Sequence, residues 1–424
     1  DHRDLHSFPT RRSSDLPLIL YLALLLHDTG KPLHTGKHAA AGREISLRVA
    51  RRLDLDGATA HGLQLLVEHH LTMAMISQRR DLDDPVVIRK FVNQVQTLEN
   101  LRMLTLLTVA DTLGTSKQMW TEFKDTLLWS LYTKAQQQLT GGPEFLRAEE
   151  KQRELLQEEV VRALPRGISA EEVQAHFTTL PARYYQIHQA KDVLVDLTLA
   201  HRFIRVQLEV EEKALEPITH WHHEPDRGYT CMKLCTWDRA GLFYKIAGSF
   251  AAAGVNILGA QVFTRSDGIV LDTFWVTDAR TGSLCHREQR EEVENLLRDV
   301  LTGGSVDCPA LIARLRPARP LYQSLEDERI PIRIHFDNEV SPTRTVIDIE
   351  AEDRLGLLYC LAQVFAELHL DISVAKISTE KGAAVDSFYV AEEDGKPILS
   401  PARQRLIETR LREALAKLEI RDAK

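Results

Sequence analysis

Apolar residues recur every three or four positions from about residue 17 to residue 138, and this spacing predicts an all-helical first part of the chain. The pattern is clearest in Ala41–Ala50, Gly62–Leu71, Val86–Leu98 and Leu101–Leu113. After Gly228 the apolar positions alternate instead, which is typical of strands. The chain is therefore predicted to combine a helical domain with a later region of mixed strands and helices.

The first apolar run ends at Leu26 and is followed directly by two adjacent polar residues, His27 and Asp28. Lys31 comes three residues after Asp28. An imidazole nitrogen and a carboxylate oxygen together suit Mg, Mn, Fe or Zn. Gly30 and Pro32 break the helix at this point, so that the adjacent side chains can turn toward one ion. The alternative is a solvated pair that only caps the helix.

Asp111 lies near the end of the apolar helix Leu101–Leu113. A carboxylate in such surroundings is costly unless it is paired or bound to a metal. We therefore predict that His27, Asp28 and Asp111 converge on one metal site with open positions for water.

Lys31, His38 and His70 are candidate catalytic residues near this site. The two histidines could hold a second metal or a substrate phosphate, and Lys31 could neutralise phosphate charge. The alternative for each is a solvated or structurally satisfied side chain, and we assign no role to His69 or His34.

Residues 141–227 are predicted to form a helical linker without chemistry of its own. Within this linker, Ala148–Leu164 is highly charged and ends at Pro165. One stretch differs, because Phe203–Val210 alternates like a strand.

An internal repeat occupies the last part of the chain. Asp238-Arg-Ala-Gly241-Leu matches Asp353-Arg-Leu-Gly356-Leu, and Asp272-Thr-Phe-Trp-Val276 matches Asp386-Ser-Phe-Tyr-Val390. Each copy has the pattern strand, helix, strand, strand, helix, which predicts two ferredoxin-like (βαββαβ) domains at residues 228–310 and 343–424.

Composition narrows the class of protein. The formal net charge of −8 shows no footprint of a nucleic-acid-binding protein, and the five scattered cysteines predict a cytoplasmic protein without a disulfide framework. The first apolar run is too short to span a bilayer, so no membrane association is expected. We expect residues 1–16, which are polar and rich in Arg and Ser, to be a non-native leader, with the helical domain at residues 17–140.

The residues around His27-Asp28, His70-Leu71 and Asp111 resemble the HD superfamily of phosphohydrolases, and the repeats with Asp-Arg-x-Gly-Leu resemble tandem ACT domains. The order HD, helical linker, ACT, ACT resembles the C-terminal portion of the bifunctional uridylyltransferase/uridylyl-removing enzymes of bacterial nitrogen regulation. Further local matches to these enzymes are Gln78–Pro85, Leu107–Asp111, Trp120–Lys124 and Pro181–Tyr184.

This resemblance implies hydrolysis of a uridylyl-tyrosine phosphodiester on the PII signalling protein, with Mg or Mn as the divalent metal. It also implies that glutamine binds at the ACT domains and favours uridylyl removal. The candidate effector-binding residues lie at the strand–helix turns and at the start of the next strand: Asp238, Gly241, Asn256, Asp353, Gly356 and Asp371. For one of the two copies, a tight turn without a ligand is the expected alternative.

Two features depart from the family pattern. The nucleotidyltransferase motifs of the family are not found in this sequence, and a further metal-ligating histidine would fall before residue 17. Two other functions stay open: an HD–ACT hydrolase of guanosine polyphosphates, and a non-catalytic amino-acid sensor. The guanosine polyphosphate hydrolases differ from this chain at one point, because they have a Glu-Asp pair where this sequence has Lys31-Pro32.

Overall fold

A computed structural model describes residues 16–31, 38–115, 120–140, 145–209, 215–304, 306–315, 330–380 and 383–422. The chain divides into two compact units, one made of residues 1–78 and 85–142 and the other of residues 79–84 and 143–424. The expected leader, apart from Leu16, lies outside the described residues. Within those ranges, no helix has both the length and the apolar character needed to cross a membrane.

The first unit is built of helices, as the apolar spacing predicts. They are α1 (Leu16–Leu26), α2 (His38–Arg52), α3 (Gly57–His69), α4 (Thr72–Arg79), α5 (Pro85–Val95), α6 (Leu98–Thr115) and α7 (Glu122–Thr140). Asp56 caps α3, since its carboxylate accepts hydrogen bonds from the backbone N–H groups of Ala58 and Thr59. Pro85 opens α5, where its missing N–H group costs nothing.

Helix α3 lies at the centre of this unit and packs against α1, α2 and α6. Its Leu63 and Leu66, like Leu104 and Leu107 of α6, are fully buried. Because α1 also packs against α6, polar residues at the ends of these helices can meet in one place.

Within residues 143–424, the described residues before the first strand form α8 (Phe145–Arg162), α9 (Ala170–Thr179), α10 (Ala182–Ile187) and α11 (Ala190–Glu209). The prediction of a strand at Phe203–Val210 was wrong, because α11 continues to Glu209. The buried residues Val193, Leu197, Ala200 and Phe203 follow one another at helical spacing. Packing of this face overrides the short local alternation.

In the described part of the chain, nine strands form one continuous antiparallel sheet. They are β1 (Ile218–Glu224), β2 (Tyr229–Trp237), β3 (Val255–Gln261), β4 (Ile269–Asp278), β5 (Arg333–Asp337), β6 (Thr345–Glu352), β7 (Leu370–Lys376), β8 (Thr379–Glu380) and β9 (Ala383–Glu392). The order is β1-β2-β4-β3-β7-β9-β6-β5, with β8 paired to β9. The two repeats therefore share one sheet, joined where β3 pairs with β7.

Each repeat is ferredoxin-like, as predicted, but the strand at its outer edge comes first in the chain rather than last. In the first repeat this strand is β1, which pairs with β2, and in the second it is β5, which pairs with β6. Strand β1 lies inside residues 141–227, so the stretch predicted as a helical linker also supplies the outer strand of the first repeat.

The helices of the repeats are α12 (Leu242–Ala252), α13 (Arg287–Leu301), α14 (Cys308–Leu315), α15 (Leu357–Glu367) and α16 (Pro401–Asp422). Strand residues such as Leu234, Phe274 and Phe388 form one core with apolar residues of α12, α13, α15 and α16 on one face of the sheet. On the opposite face, Cys235 and Leu271 pack against apolar residues of α8 to α11. Successive side chains along the strands therefore face two different cores.

Candidate metal centre and effector-binding edge

His27, Asp28, His70 and Asp111 meet where the ends of α1, α3 and α6 come together. His27 and Asp28 directly follow α1, His70 directly follows α3, and Asp111 lies in the last turns of α6. The His27 Nε2 atom lies 3.4 Å from Asp28 Oδ2 and 3.3 Å from Asp111 Oδ1. The predicted convergence of these three side chains is confirmed, whereas their role as metal ligands stays a prediction.

Both histidines are oriented by hydrogen bonds from the nitrogen that faces away from the carboxylates. His27 Nδ1 lies 2.8 Å from the carbonyl oxygen of Leu24, and His70 Nδ1 lies 2.7 Å from that of Val67. A carbonyl can only accept, so each Nδ1 carries a proton, and in the neutral form of each ring Nε2 presents a lone pair. This arrangement is typical of histidines that bind metals through Nε2.

His70 is the more buried of the two, with only 1% of the residue exposed. Its Nε2 atom lies 3.8 Å from Asp28 Oδ1, and its ring meets that of His27 edge-on at 5.2 Å. Burial lowers the pKa of His70 below its usual value, so the ring is neutral near pH 7. A neutral imidazole is the form that binds a cation.

Asp28 lies close to three ionisable side chains of the site: His27, Lys31 and His70. Although burial raises its pKa, the hydrogen bond from Lys31 and the charge of His27 together hold the pKa of Asp28 below its usual value. Lys31 Nζ donates to Asp28 Oδ2 at 2.5 Å, and its side chain is 61% exposed. Lys31 therefore stands at the solvent side of the cluster. Asp111 is half-buried rather than fully enclosed, with 25% of its side chain exposed.

The donor set fits a divalent cation in chemistry and approximately in spacing. Two ligand atoms that share an ion at about 2.1 Å lie roughly 3.0–3.4 Å apart, close to the separations of His27 Nε2 from the two carboxylates. As they stand, no three His, Cys, Asp or Glu side chains in the described ranges form a closed metal-binding group. The four side chains are instead spaced as ion pairs.

The remaining predicted residue of this centre is His38. It begins α2, and its side chain lies outside the part of the chain that the structure describes. Its predicted role is therefore untested.

The two turns that are predicted to bind an effector share one conformation. Gly241 begins α12 with φ of 71°, and Gly356 begins α15 with φ of 87°, a region of backbone space that disfavours any side chain. A Cβ atom at Gly241 would also lie 2.1 Å from the ring of Tyr244. The sequence repeat Asp-Arg-x-Gly thus encodes the same strand–helix turn twice.

Within each repeat, the strand starts lie far from that repeat's own turn. Asn256 pairs with Thr277 at one end of β4, whereas the turn at Asp238 bonds to Gly268 just before the other end of β4. Asp371 of β7 likewise pairs with Ala391 near the end of β9, away from the turn at Asp353.

Across the β3–β7 junction, each strand start lies instead at the edge that holds the turn of the other repeat, because β3 and β7 are antiparallel. The Val262 N–H donates to the Ser373 carbonyl, so Asp371 lies at the edge that holds the first repeat's turn. The Ile377 N–H donates to the Leu258 carbonyl, so Asn256 lies at the edge that holds the second repeat's turn. Each edge therefore combines the turn of one repeat with the strand start of the other.

Two buried carboxylates at these edges were not predicted as site residues. Burial raises the pKa of Asp272 well above its usual value, and the charges of Asp238 and Asp371 raise it further. Burial likewise raises the pKa of Asp386, with a further contribution from Asp353. The sequence did contain a signal for these two residues, because an acidic residue occupies the same position of an apolar strand in both repeats.

Comparison with protein families finds two matching models. An HD domain model matches residues 11–114, and a model described as an ACR9-like, ACT-like domain matches residues 333–421. No solved structure matches the chain.

Several curated bacterial proteins named bifunctional uridylyltransferase/uridylyl-removing enzyme are similar to this chain. Those of Ruegeria pomeroyi and Rhodospirillum rubrum are each 33% identical to it, over 94% and 97% of this chain. That of Azospirillum brasilense is 32% identical over 97% of this chain. The chain spans 42% of the length of each of these relatives.

Proposed function

Because this chain is homologous over nearly its whole length to the C-terminal region of bifunctional uridylyltransferase/uridylyl-removing enzymes, we propose that its HD domain is a metal-dependent phosphodiesterase. The substrate is a uridylyl-tyrosine of the PII signalling protein, from which the enzyme releases UMP. Glutamine, bound at the ACT pair, controls the reaction.

One observation carries the catalytic proposal: two oriented imidazoles and two carboxylates, brought together from three helix ends. His27 Nε2 stands within 3.4 Å of both carboxylates, and His70 Nε2 faces Asp28. His27, Asp28 and Asp111 would hold the ion, with His70 beside them. The mixed nitrogen and oxygen donor set is compatible with Mg or Mn.

When bound, a divalent metal would supply a water of lowered pKa and would neutralise phosphate oxygens. The Leu24 and Val67 carbonyls keep the Nε2 lone pairs of the two histidines directed into the site. Lys31, at the exposed side, is placed to meet the charge of an incoming phosphodiester. The leaving tyrosine phenol, with a pKa of about 10, needs little help from a general acid.

The test is hydrolysis of the p-nitrophenyl ester of UMP, which mimics a uridylyl-tyrosine, followed by hydrolysis of uridylylated PII protein. Activity that requires Mg or Mn and disappears with a chelator would support the proposal. Hydrolysis of guanosine tetraphosphate alone would favour the alternative hydrolase. Glutamine binding without bound metal or hydrolysis would leave a sensor.

The effector proposal is that glutamine binds at one or both composite edges of the ACT sheet. The backbone N–H groups at the starts of α12 and α15 can bind a carboxylate, because a helix start leaves such donors unpaired within the helix. Asp371 and Asn256, at the two edges, can meet the amino or amide group. Arg344 already pairs with Asp371 at 2.6 Å, so binding at that edge competes with an ion pair.

We expect glutamine binding to be weakened both by a substitution at the turn of one repeat and by a substitution at the strand start of the other repeat. If glutamine binds at the first repeat's turn, Gly241→Ala and Asp371→Asn should each weaken it by roughly tenfold or more, because a charge-assisted hydrogen bond or the turn itself is lost. If it binds at the second turn, Gly356→Ala and Asn256→Ala should do so. Isothermal titration calorimetry of the full chain with glutamine measures the effect.

Gly282→Ala is the matched control, because Gly282 also has positive φ, of 69°, but a Cβ atom there meets nothing within 4 Å. It imposes similar backbone strain away from both edges. Loss of binding that pairs Gly241 with Asn256 instead would contradict the composite edges.

A further inference from the structure

Residues 79–84, named here the clamp segment, leave the helical unit and become part of the unit that contains the ACT sheet. The chain enters this segment from α4 and leaves it into α5, both of which lie mainly in the helical unit. The segment therefore belongs to the second unit, although the residues before and after it belong to the first.

The clamp segment is joined to β6 by an ion pair between Arg80 and Asp348. Arg80 Nη1 and Nη2 donate to the two carboxylate oxygens of Asp348 at 2.7 and 2.9 Å, a bidentate geometry. The side chains are only 12% and 18% exposed. Ser387 Oγ donates to the same carboxylate at 2.5 Å. Such a partly buried, bidentate pair has a defined geometry, unlike a mobile surface pair.

Two further hydrogen bonds spread the clamp segment over both repeats. The Asp81 N–H donates to the hydroxyl oxygen of Tyr389 on β9 at 2.8 Å, and Gln261 Nε2 of β3 donates to Asp83 Oδ2 at 2.9 Å. Strand β7 lies between β3 and β9. The segment therefore crosses the β3–β7 junction, the place where the two effector edges are assembled.

The clamp segment is also close in sequence to the candidate metal centre. His70 is followed by α4, which begins at Thr72 and ends at Arg79. Helix α4 is a single stretch of eight residues, about 12 Å long at 1.5 Å per residue. A short helix transmits a displacement of one end to the other because its backbone hydrogen bonds keep it rigid.

We propose that Arg80 is a positioning residue: through its ion pair with Asp348, the clamp segment makes the placement of His70 depend on the state of the ACT pair. This inference rests on the proposed function for its regulatory part. An effector that changes the β3–β7 junction changes the anchor points Gln261, Tyr389 and Asp348 relative to one another. Helix α4 then carries the change to His70. A ligand with equal affinity for both arrangements would transmit nothing.

The first test is hydrogen exchange of the full-length chain, without any ligand. In Arg80→Ala, amides of residues 71–78 should exchange at least about tenfold faster than in the unsubstituted chain, since α4 has lost its anchor. Tyr389→Phe keeps the buried ring and removes only the hydroxyl that accepts from Asp81, so it should act in the same direction with little risk to folding.

Arg333→Ala is the matched control. Arg333 pairs with Glu350 of the same strand β6, but at 3.4 Å and with 70% of its side chain exposed. Its removal should leave exchange in residues 71–78 unchanged. Equal exchange in Arg80→Ala, Tyr389→Phe and the unsubstituted chain would overturn the inference.

The second test separates positioning from mere stabilisation. Arg80→Ala should bind glutamine with unchanged affinity by calorimetry, while its hydrolysis of the p-nitrophenyl ester of UMP no longer responds to glutamine. Arg80→Asp combined with Asp348→Arg should restore part of the response. A full response in Arg80→Ala would overturn the inference, whereas absent hydrolysis in the unsubstituted chain would count against the proposed function and leave the exchange test decisive.

Discussion

Asp28→Asn is expected to lower kcat/KM for phosphodiester hydrolysis by more than the roughly 10- to 100-fold that loss of an outer-shell partner costs at a metal site. Asp28 contacts His27, Lys31 and His70 at once, so it is the carboxylate on which the cluster depends. An amide keeps the shape of the side chain but removes the negative charge that would hold a cation. The measurement is steady-state hydrolysis together with metal content after dialysis.

The matched control for this substitution is Asp54→Asn. Asp54 lies in the same unit, is exposed, and has positive φ of 51°, a conformation that asparagine tolerates well. It should hydrolyse substrate as fast as the unsubstituted chain. Activity and metal content that survive Asp28→Asn would remove the basis for the metal centre.

Lys233→Met is expected to destabilise the second unit by about 3–5 kcal/mol, the usual cost of removing one partner from a buried ion pair. Lys233 of β2 donates to Asp196 Oδ1 of α11 at 2.7 Å, and the two residues are 9% and 3% exposed. The Tyr184 hydroxyl donates to the other oxygen of Asp196 at 2.6 Å. Without the lysine, a buried carboxylate would lose its cation. The midpoint of urea unfolding, followed by circular dichroism, measures the loss.

Lys396→Met provides the comparison, because Lys396 pairs with Asp394 at 2.6 Å where both side chains are more than half exposed. Removal of that surface pair should leave the midpoint of urea unfolding nearly unchanged, because water screens two exposed charges. Adding Asp196→Asn to Lys233→Met should recover part of the loss, since no buried charge then remains. Similar destabilisation by Lys233→Met and Lys396→Met would show that the buried ion pair contributes no more to stability than the exposed one.

The same pair illustrates what local sequence cannot reveal. Asp196 and Lys233 lie in stretches predicted as a linker helix and a strand, and neither stretch contains a signal for the other. The partnership exists only because α11 packs against β2, and that packing is decided by the apolar faces of several helices together. Phe203 shows the same effect, because its burial on α11 outweighs the alternation of its immediate neighbours.

Features that depend on local spacing could be predicted from the amino-acid sequence. The helical domain, the two repeats with their glycine turns, and the grouping of His27, Asp28 and Asp111 follow from periodicity, from residue type and from the cost of burying a carboxylate. The repeat also predicted two ferredoxin-like domains, since both copies carry the same order of elements from β2 or β6 onward.

The pairing of distant elements could be seen only in the folded chain. Strand β1 completes the first repeat, β3 joins β7, and Arg80 reaches Asp348, although each partner lies far along the chain or in a stretch assigned to another domain. Strand pairing and ion pairing across such separations depend on how whole faces pack, because a single strand edge can bond equally well to many others. The composite edges that we propose as effector sites follow from that pairing, through the antiparallel register of β3 and β7.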